Sequence, residues 1–159
     1  MNDKEYHIDF MQRLKKSNEG VQRVAHWMMG RGLQVDVPAT KYADKLENYN
    51  QYKDNGDLIL HHKGKSHIIE VKTVRYRFFD NTNGKIWICN KKSFDRYDVK
   101  PYAYCIIHIR EPKLLMIKTS TKDTWRIEEG YDPHRGYSYQ VYATDIKNHN
   151  LYTIIGGGV

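Results

Sequence analysis

The sequence predicts an α/β (α+β) domain in which a central mixed β-sheet is flanked by helices. Three observations lead there. Apolar residues recur at helical spacing through the first 30 positions. Residues 57–73 read as a β-hairpin, and further apolar runs suited to strands follow a short helical stretch. The order helix, strand, hairpin, strand is that of a mixed sheet with helices packed on it. A chain of 159 residues, 40% apolar with 13 tyrosines and 3 tryptophans, can build one core. Residues 1–155 are therefore expected to form a single domain, with a flexible glycine tail at 156–159.

Tyr6, Phe10, Met11 and Leu14 share one stripe and predict a helix over residues 3–16. Ser17-Asn18 offers an N-cap for a second helix carrying Val21, Val24, Ala25 and Met28, which Gly30 and Gly32 end. Residues 33–37 read as a strand that Pro38 closes. Residues 39–54 are polar and rich in tyrosine, a loop or short helix over the entrance to any site. After the hairpin, residues 74–90 look irregular, and Ser93 to Tyr97 suit a short helix. Residues 103–109 and 114–118 read as strands, and 125–127 and 137–142 add strand structure.

The hairpin carries the chemistry. A two-residue turn at Lys63-Gly64 sets His62 opposite Lys65 and, counting outward, Asp57 opposite Glu70. Pair types alternate from the turn, so Asp57 and Glu70 form a non-hydrogen-bonded pair with Cα atoms about 4.5 Å apart. Two carboxylates facing each other repel unless positive charge lies between them. Lys72, two residues beyond Glu70, points to the same face. Two acids and a lysine so arranged suit a divalent cation beside a general base or charge stabiliser. The plain alternative is a solvated acid, a surface ion pair and a strand end, worth little energetically.

Asp57, the twelve-residue gap and Glu70-Val71-Lys72 resemble the core motif of the PD-(D/E)XK nucleases, the restriction-endonuclease-like superfamily. In order of elements the resemblance covers roughly residues 17 to 110. It implies a restriction-endonuclease-like core, in which the acid opens one strand and E-x-K lies on its hairpin partner. Gly56 stands where the family often has Pro, and Ser93-Phe94-Asp95-Arg96-Tyr97 keeps the Tyr but not the Gln of a helicase-associated Gln-x-x-x-Tyr motif. The resemblance implies metal-assisted phosphodiester hydrolysis with Asp57, Glu70 and Lys72 as catalytic residues. Asp57 and Glu70 are hard oxygen ligands suited to Mg²⁺ or Mn²⁺. The Val71 carbonyl is the implied third ligand, and Glu19 the candidate for the extra acid that some members carry on the first helix. Lys72 would orient or deprotonate the attacking water, or stabilise the transition state.

A net charge of +7 and a pI near 9.3 favour a polyanionic partner. Between residues 75 and 92, Arg75, Arg77, Lys85, Lys91 and Lys92 interleave with Tyr76, Phe78, Phe79 and Trp87. Phe78, Phe79 and Trp87 are expected in the core, and Arg75, Arg77, Lys91 and Lys92 against phosphates. Cys89 and Cys105 lack C-x-x-C spacing and are expected as buried free thiols. No apolar signal segment or membrane-length run appears, so a soluble cytoplasmic protein without a membrane partner is expected, although a toxin domain released from a longer precursor would read the same. Asn148-His149-Asn150 lacks the context of an HNH site, and Gly30-Arg31-Gly32 that of a phosphate loop. The expected function is a DNA endonuclease, structure-specific or dimeric. Three alternatives stay open: an RNA-cleaving nuclease or toxin effector, a catalytically inactive nucleic-acid-binding module of the same fold, and an unrelated basic β-rich adaptor.

Overall fold

The computed structural model describes residues 3–38, 57–81 and 83–154, with the backbone path alone for residues 3 and 6–18. The stripe from Tyr6 to Leu14, the segment 39–54 and the glycine tail therefore lie outside the described side chains or residues. The architecture is mixed α/β: a six-stranded mixed sheet, a three-stranded antiparallel sheet and a few helices.

A single helix, α1 (Asp3–Gly30), replaces the two expected from sequence. Ser17 and Asn18 do not cap a second helix, because both residue types carry only a mild penalty in a helix interior and nothing there forces the chain out. The end at Gly30 is as expected. Gly32 and Leu33 donate their N–H groups back to the carbonyls of Met29 and Met28, closing the last turn as a Schellman motif. Arg23 then ties the helix to the sheet, donating to the carbonyls of His108 at 2.7 Å and Glu111 at 3.0 Å.

The large sheet runs β1 (Gln34–Asp36), β2 (Leu58–His62), β3 (Lys65–Val74), β5 (Ala103–His108), β6 (Lys113–Lys118), β9 (Asn150–Thr153). Only β3 and β5 are parallel neighbours; every other pair is antiparallel. The β2–β3 register, from His62 opposite Lys65 to Leu58 opposite Ile69, is the one that turn counting predicts. Both turn residues, Lys63 (φ 51°) and Gly64 (φ 76°), have positive φ, as the twist-matching type I′ turn requires.

Side-chain alternation divides the core. Leu58, Leu60, Ile69, Val71, Ala103, Cys105 and Ile107 pack beneath Val21, Val24, Ala25 and Met28 of α1. Gly20 brings helix and sheet together, since a Cβ there would clash with Thr73 Oγ1. On the opposite face, Val74, Tyr104, Ile106, Leu115 and Ile117 pack against the second sheet and α2 (Lys91–Arg96) through Ile86, Ile88, Phe94 and Tyr142. That second sheet has the order β4 (Lys85–Asn90), β8 (Tyr137–Asp145), β7 (Arg126–Asp132). Residues 85–90, read from sequence as irregular, form β4 because Ile86 and Ile88 alternate inward. The strand β9 was likewise not predicted; its four residues complete the far edge of the large sheet against β6.

Candidate functional site

Glu70 and Lys72 project from β3 on the face away from α1, as their alternation with Ile69 and Val71 dictates. Asp57 immediately precedes β2, whose paired register ends at Leu58 opposite Ile69, one step short of Glu70. In this register residues 69 and 71 turn their backbone groups toward β2. Because β2 begins only at Leu58, the Asp57 carboxylate takes the place of a further strand residue: its Oδ2 accepts the Val71 N–H at 2.7 Å. The Val71 carbonyl is directed to the same edge. The open end of the hairpin thus carries the half-buried Asp57 and Glu70, the Val71 carbonyl and, two residues beyond Glu70, Lys72.

The second sheet closes over Lys72. Its Nζ donates to the Trp87 carbonyl at 3.1 Å. The β4–β8 register slips by one residue between Trp87 and Cys89, and the bulge falls where Lys72 arrives. Burial pushes the Lys72 ammonium below its ordinary pKa, with the neighbouring Cys89 acting in the opposite sense. Burial also pushes the Cys89 thiol up, and the charge of Glu70 adds to that shift. Tyr104, from the central strand, is raised by burial and then by Cys89 and Glu70. Its buried hydroxyl has no partner of normal hydrogen-bond geometry among the described residues; the Cys89 thiol lies close enough to perturb it without completing such a bond. Tyr97, just past α2, is raised by burial, with Glu70, Cys89 and Asp57 contributing. Asp57, Glu70, Lys72, Cys89, Tyr97 and Tyr104 therefore share one electrostatic neighbourhood.

No protein-family model, curated protein or solved structure matches this chain. The site must be judged on its own geometry.

Among the described residues, no three His, Cys, Asp or Glu side chains converge. Glu19 is exposed on α1, the helix that covers the other face of the sheet, and does not form a three-acid group with Asp57 and Glu70. Two carboxylates still fit Mg²⁺, which commonly takes one or two carboxylates and completes its shell with water and phosphate oxygens. The residues that could hold such an ion are Asp57, Glu70 and the Val71 carbonyl.

The basic residues are distributed around the site rather than gathered in it. Arg75 and Arg77 are exposed just beyond β3, and Arg77 is engaged by Asp80 at 2.7 Å and Glu111 at 3.5 Å. Lys91 and Lys92 open α2, Lys91 pairing with Asp95 at 2.7 Å. Phe78 is buried, while Phe79 and Trp87 are partly so. Cys105 is buried, its thiol pushed up to about 12 by that burial, whereas Cys89 is only half-buried. His149 bonds Thr144 Oγ1 through Nε2 at 2.9 Å, a structural role. Cys89 and Tyr104 were not singled out from sequence as site residues. The period-2 pattern of Ile86 and Ile88 could have placed β4, but its pairing over β3 is a long-range event that no local pattern encodes.

Proposed function

We propose that this protein is a metal-dependent nuclease with a restriction-endonuclease-like core, cutting DNA internally. The observation that carries the proposal is the Asp57–Glu70 pair at the open end of the β2–β3 hairpin, with Lys72 on the same face. Carboxylates brought face to face repel unless positive charge lies between them, and a bound divalent ion beside Lys72 would supply it. The order α1, β1, hairpin and then β5 parallel to β3 supports the same reading, as does the net charge of +7 for a polyanionic substrate.

Each residue then has a task. The carboxylates of Asp57 and Glu70, with the Val71 carbonyl, would hold Mg²⁺ or Mn²⁺. When bound, such an ion supplies positive charge against the scissile phosphate and makes water more acidic. Asp57 has a second duty, because its bond to the Val71 N–H fixes the carboxylate and the neighbouring carbonyl together. Lys72, held by the Trp87 carbonyl, would orient the attacking water or stabilise the phosphorane-like transition state. Its lowered pKa also suits it to accept a proton from that water.

The test is incubation of the full chain with supercoiled plasmid, linear duplex, single-stranded DNA and RNA, each with Mg²⁺, Mn²⁺ or EDTA. Metal-dependent nicking of plasmid is expected. Cutting confined to RNA would replace DNA as the substrate, and binding without cutting of any polymer would leave a non-catalytic module.

A further inference from the structure

A groove of about 770 Å³ opens between α2 and the β7–β8 hairpin, lined by Lys91, Lys92 and Arg96 from the helix and Tyr137 and Tyr139 from β8. It continues into a hollow of about 400 Å³ that shares Tyr137 and Tyr139 and adds Tyr131. We propose that this groove binds an unpaired nucleic-acid strand and leads it toward the carboxylate site. The proposal deepens the nuclease reading and rests on it for what happens at the far end.

Charge supports it first. Lys91 is taken up by Asp95, but no acidic side chain among the described residues pairs with Lys92 or Arg96. The acids lining the groove are compensated: Asp95 by Lys91 and the Tyr142 hydroxyl, Asp132 by the N–H groups of His134 and Arg135. Two cations are thus left to track a phosphate backbone.

The rings decide which polymer. Tyr137 exposes 46% of its surface, although large aromatic rings normally bury theirs; Tyr131, opposite Ser138, stands on the other face of the ribbon. Tyr139 is better held, lying across Gly130 and edge-on to Trp87 with centroids 6.3 Å apart. Rings of this kind stack on bases of any sequence. A duplex hides its base faces in its own stack, so the tyrosines gain nothing from it. An unpaired strand offers both the phosphates and the bases.

Connectivity supplies the direction. Trp87 touches the groove through its ring contact with Tyr139 and the carboxylate site through its carbonyl bond to Lys72. Asn90, which lines the groove, follows Cys89, the thiol beside Lys72 and Glu70. The groove and the carboxylate site thus meet on the same strand, β4.

The test is fluorescence anisotropy in EDTA, using the full chain and labelled oligothymidylate, oligouridylate and a hairpin duplex. Wild type, Tyr137→Ala, Tyr137→Phe and the double variant Lys92→Gln/Arg96→Gln are compared. Either unpaired oligomer is expected to bind at least about tenfold tighter than the duplex. Tyr137→Ala should weaken that binding by about tenfold, and Tyr137→Phe should restore it. The double variant should lower the salt slope for unpaired strands by about 1.4, from about 0.7 per phosphate contact. Equal affinity for duplex and unpaired strands, an unchanged Tyr137→Ala protein or an unchanged salt slope would each overturn the proposal. Cleavage is not part of the readout. Failure of the nuclease reading would leave this binding intact, and failure here would leave metal-dependent cutting and its dependence on Glu70 intact.

Discussion

Asp57 performs two separable jobs, and two substitutions pull them apart. Its carboxylate accepts the Val71 N–H at 2.7 Å in a half-buried corner. Asp57→Ala leaves that backbone donor without its acceptor, a loss of about 1–3 kcal/mol. Relief of the repulsion between Asp57 and Glu70 offsets a few tenths of a kcal/mol, within the roughly 0.2–1 kcal/mol range of cross-strand pair effects. The net expectation is about 0.5–2.5 kcal/mol of destabilisation, read as a lower urea midpoint at unchanged m-value. At about 2–4 °C per kcal/mol for a chain of this size, Tm should fall by roughly 1–10 °C. Asp57→Asn keeps an oxygen acceptor for Val71 and removes the charge, so its stability should stay within about 0.5 kcal/mol of wild type. Both variants should lose metal-dependent cleavage. Wild-type cutting by Asp57→Asn would refute the carboxylate's chemical role. Wild-type stability of Asp57→Ala would refute the hydrogen bond as a fixed part of the corner.

Three further outcomes follow from the same structure. Lys72→Met gives up one charge-assisted hydrogen bond but also the cost of a half-buried ammonium group; stability should change by no more than about 1 kcal/mol in urea unfolding, while single-turnover cleavage falls about 10²- to 10⁴-fold. Gly20→Ala drives a methyl into Thr73 Oγ1 and sets it 3.2 Å from Ile107 Cδ1; overpacking of about 1–3 kcal/mol should exceed a helix-propensity gain of about 1 kcal/mol, so a variant more stable than wild type would contradict the close seating of α1. Glu128 accepts from Lys85, Trp87 and Arg126, and these bonds hold its pKa down at about 2 from an ordinary 4.5. Its stabilisation is complete above the unfolded-state value and lost as pH falls toward about 2. Because Lys85 and Arg126 are 59% and 41% exposed, solvent screening reduces the contribution to about 1 kcal/mol. Wild type should therefore be more stable than Glu128→Gln at pH 7 and converge with it in acid, as followed by thermal melts across pH.

The parts of this fold legible in the sequence are those written in short-range chemistry. The Lys63-Gly64 turn fixed the β2–β3 register from His62–Lys65 to Leu58–Ile69, because a two-residue turn admits one pairing. The strands β5 and β6 were visible as apolar runs; the short helix read at Ser93 to Tyr97 begins two residues earlier, at Lys91, where Asn90 caps it by accepting the Ser93 N–H. Ser17-Asn18 misled because a good cap residue is only a local option: Ser and Asn carry a mild penalty in a helix interior, and the helix runs through them. What stayed hidden was tertiary. Nothing near Cys89 in sequence says that β4 will bulge over Lys72, and nothing near Tyr104 says that its hydroxyl will end beside that thiol. Glu19 matched on approximate spacing alone, and spacing along a helix does not say which face of the sheet the helix covers.

The measurement that bears most directly on the central claim is plasmid nicking by wild type and Glu70→Ala, purified in parallel and matched for folded content by circular dichroism. Each is assayed across a titration of Mg²⁺ and Mn²⁺. A carboxylate pair that holds the catalytic ion predicts nicking that rises with metal in the wild type and is absent from the variant at every concentration. Folded Glu70→Ala protein that nicks at the wild-type rate would contradict it.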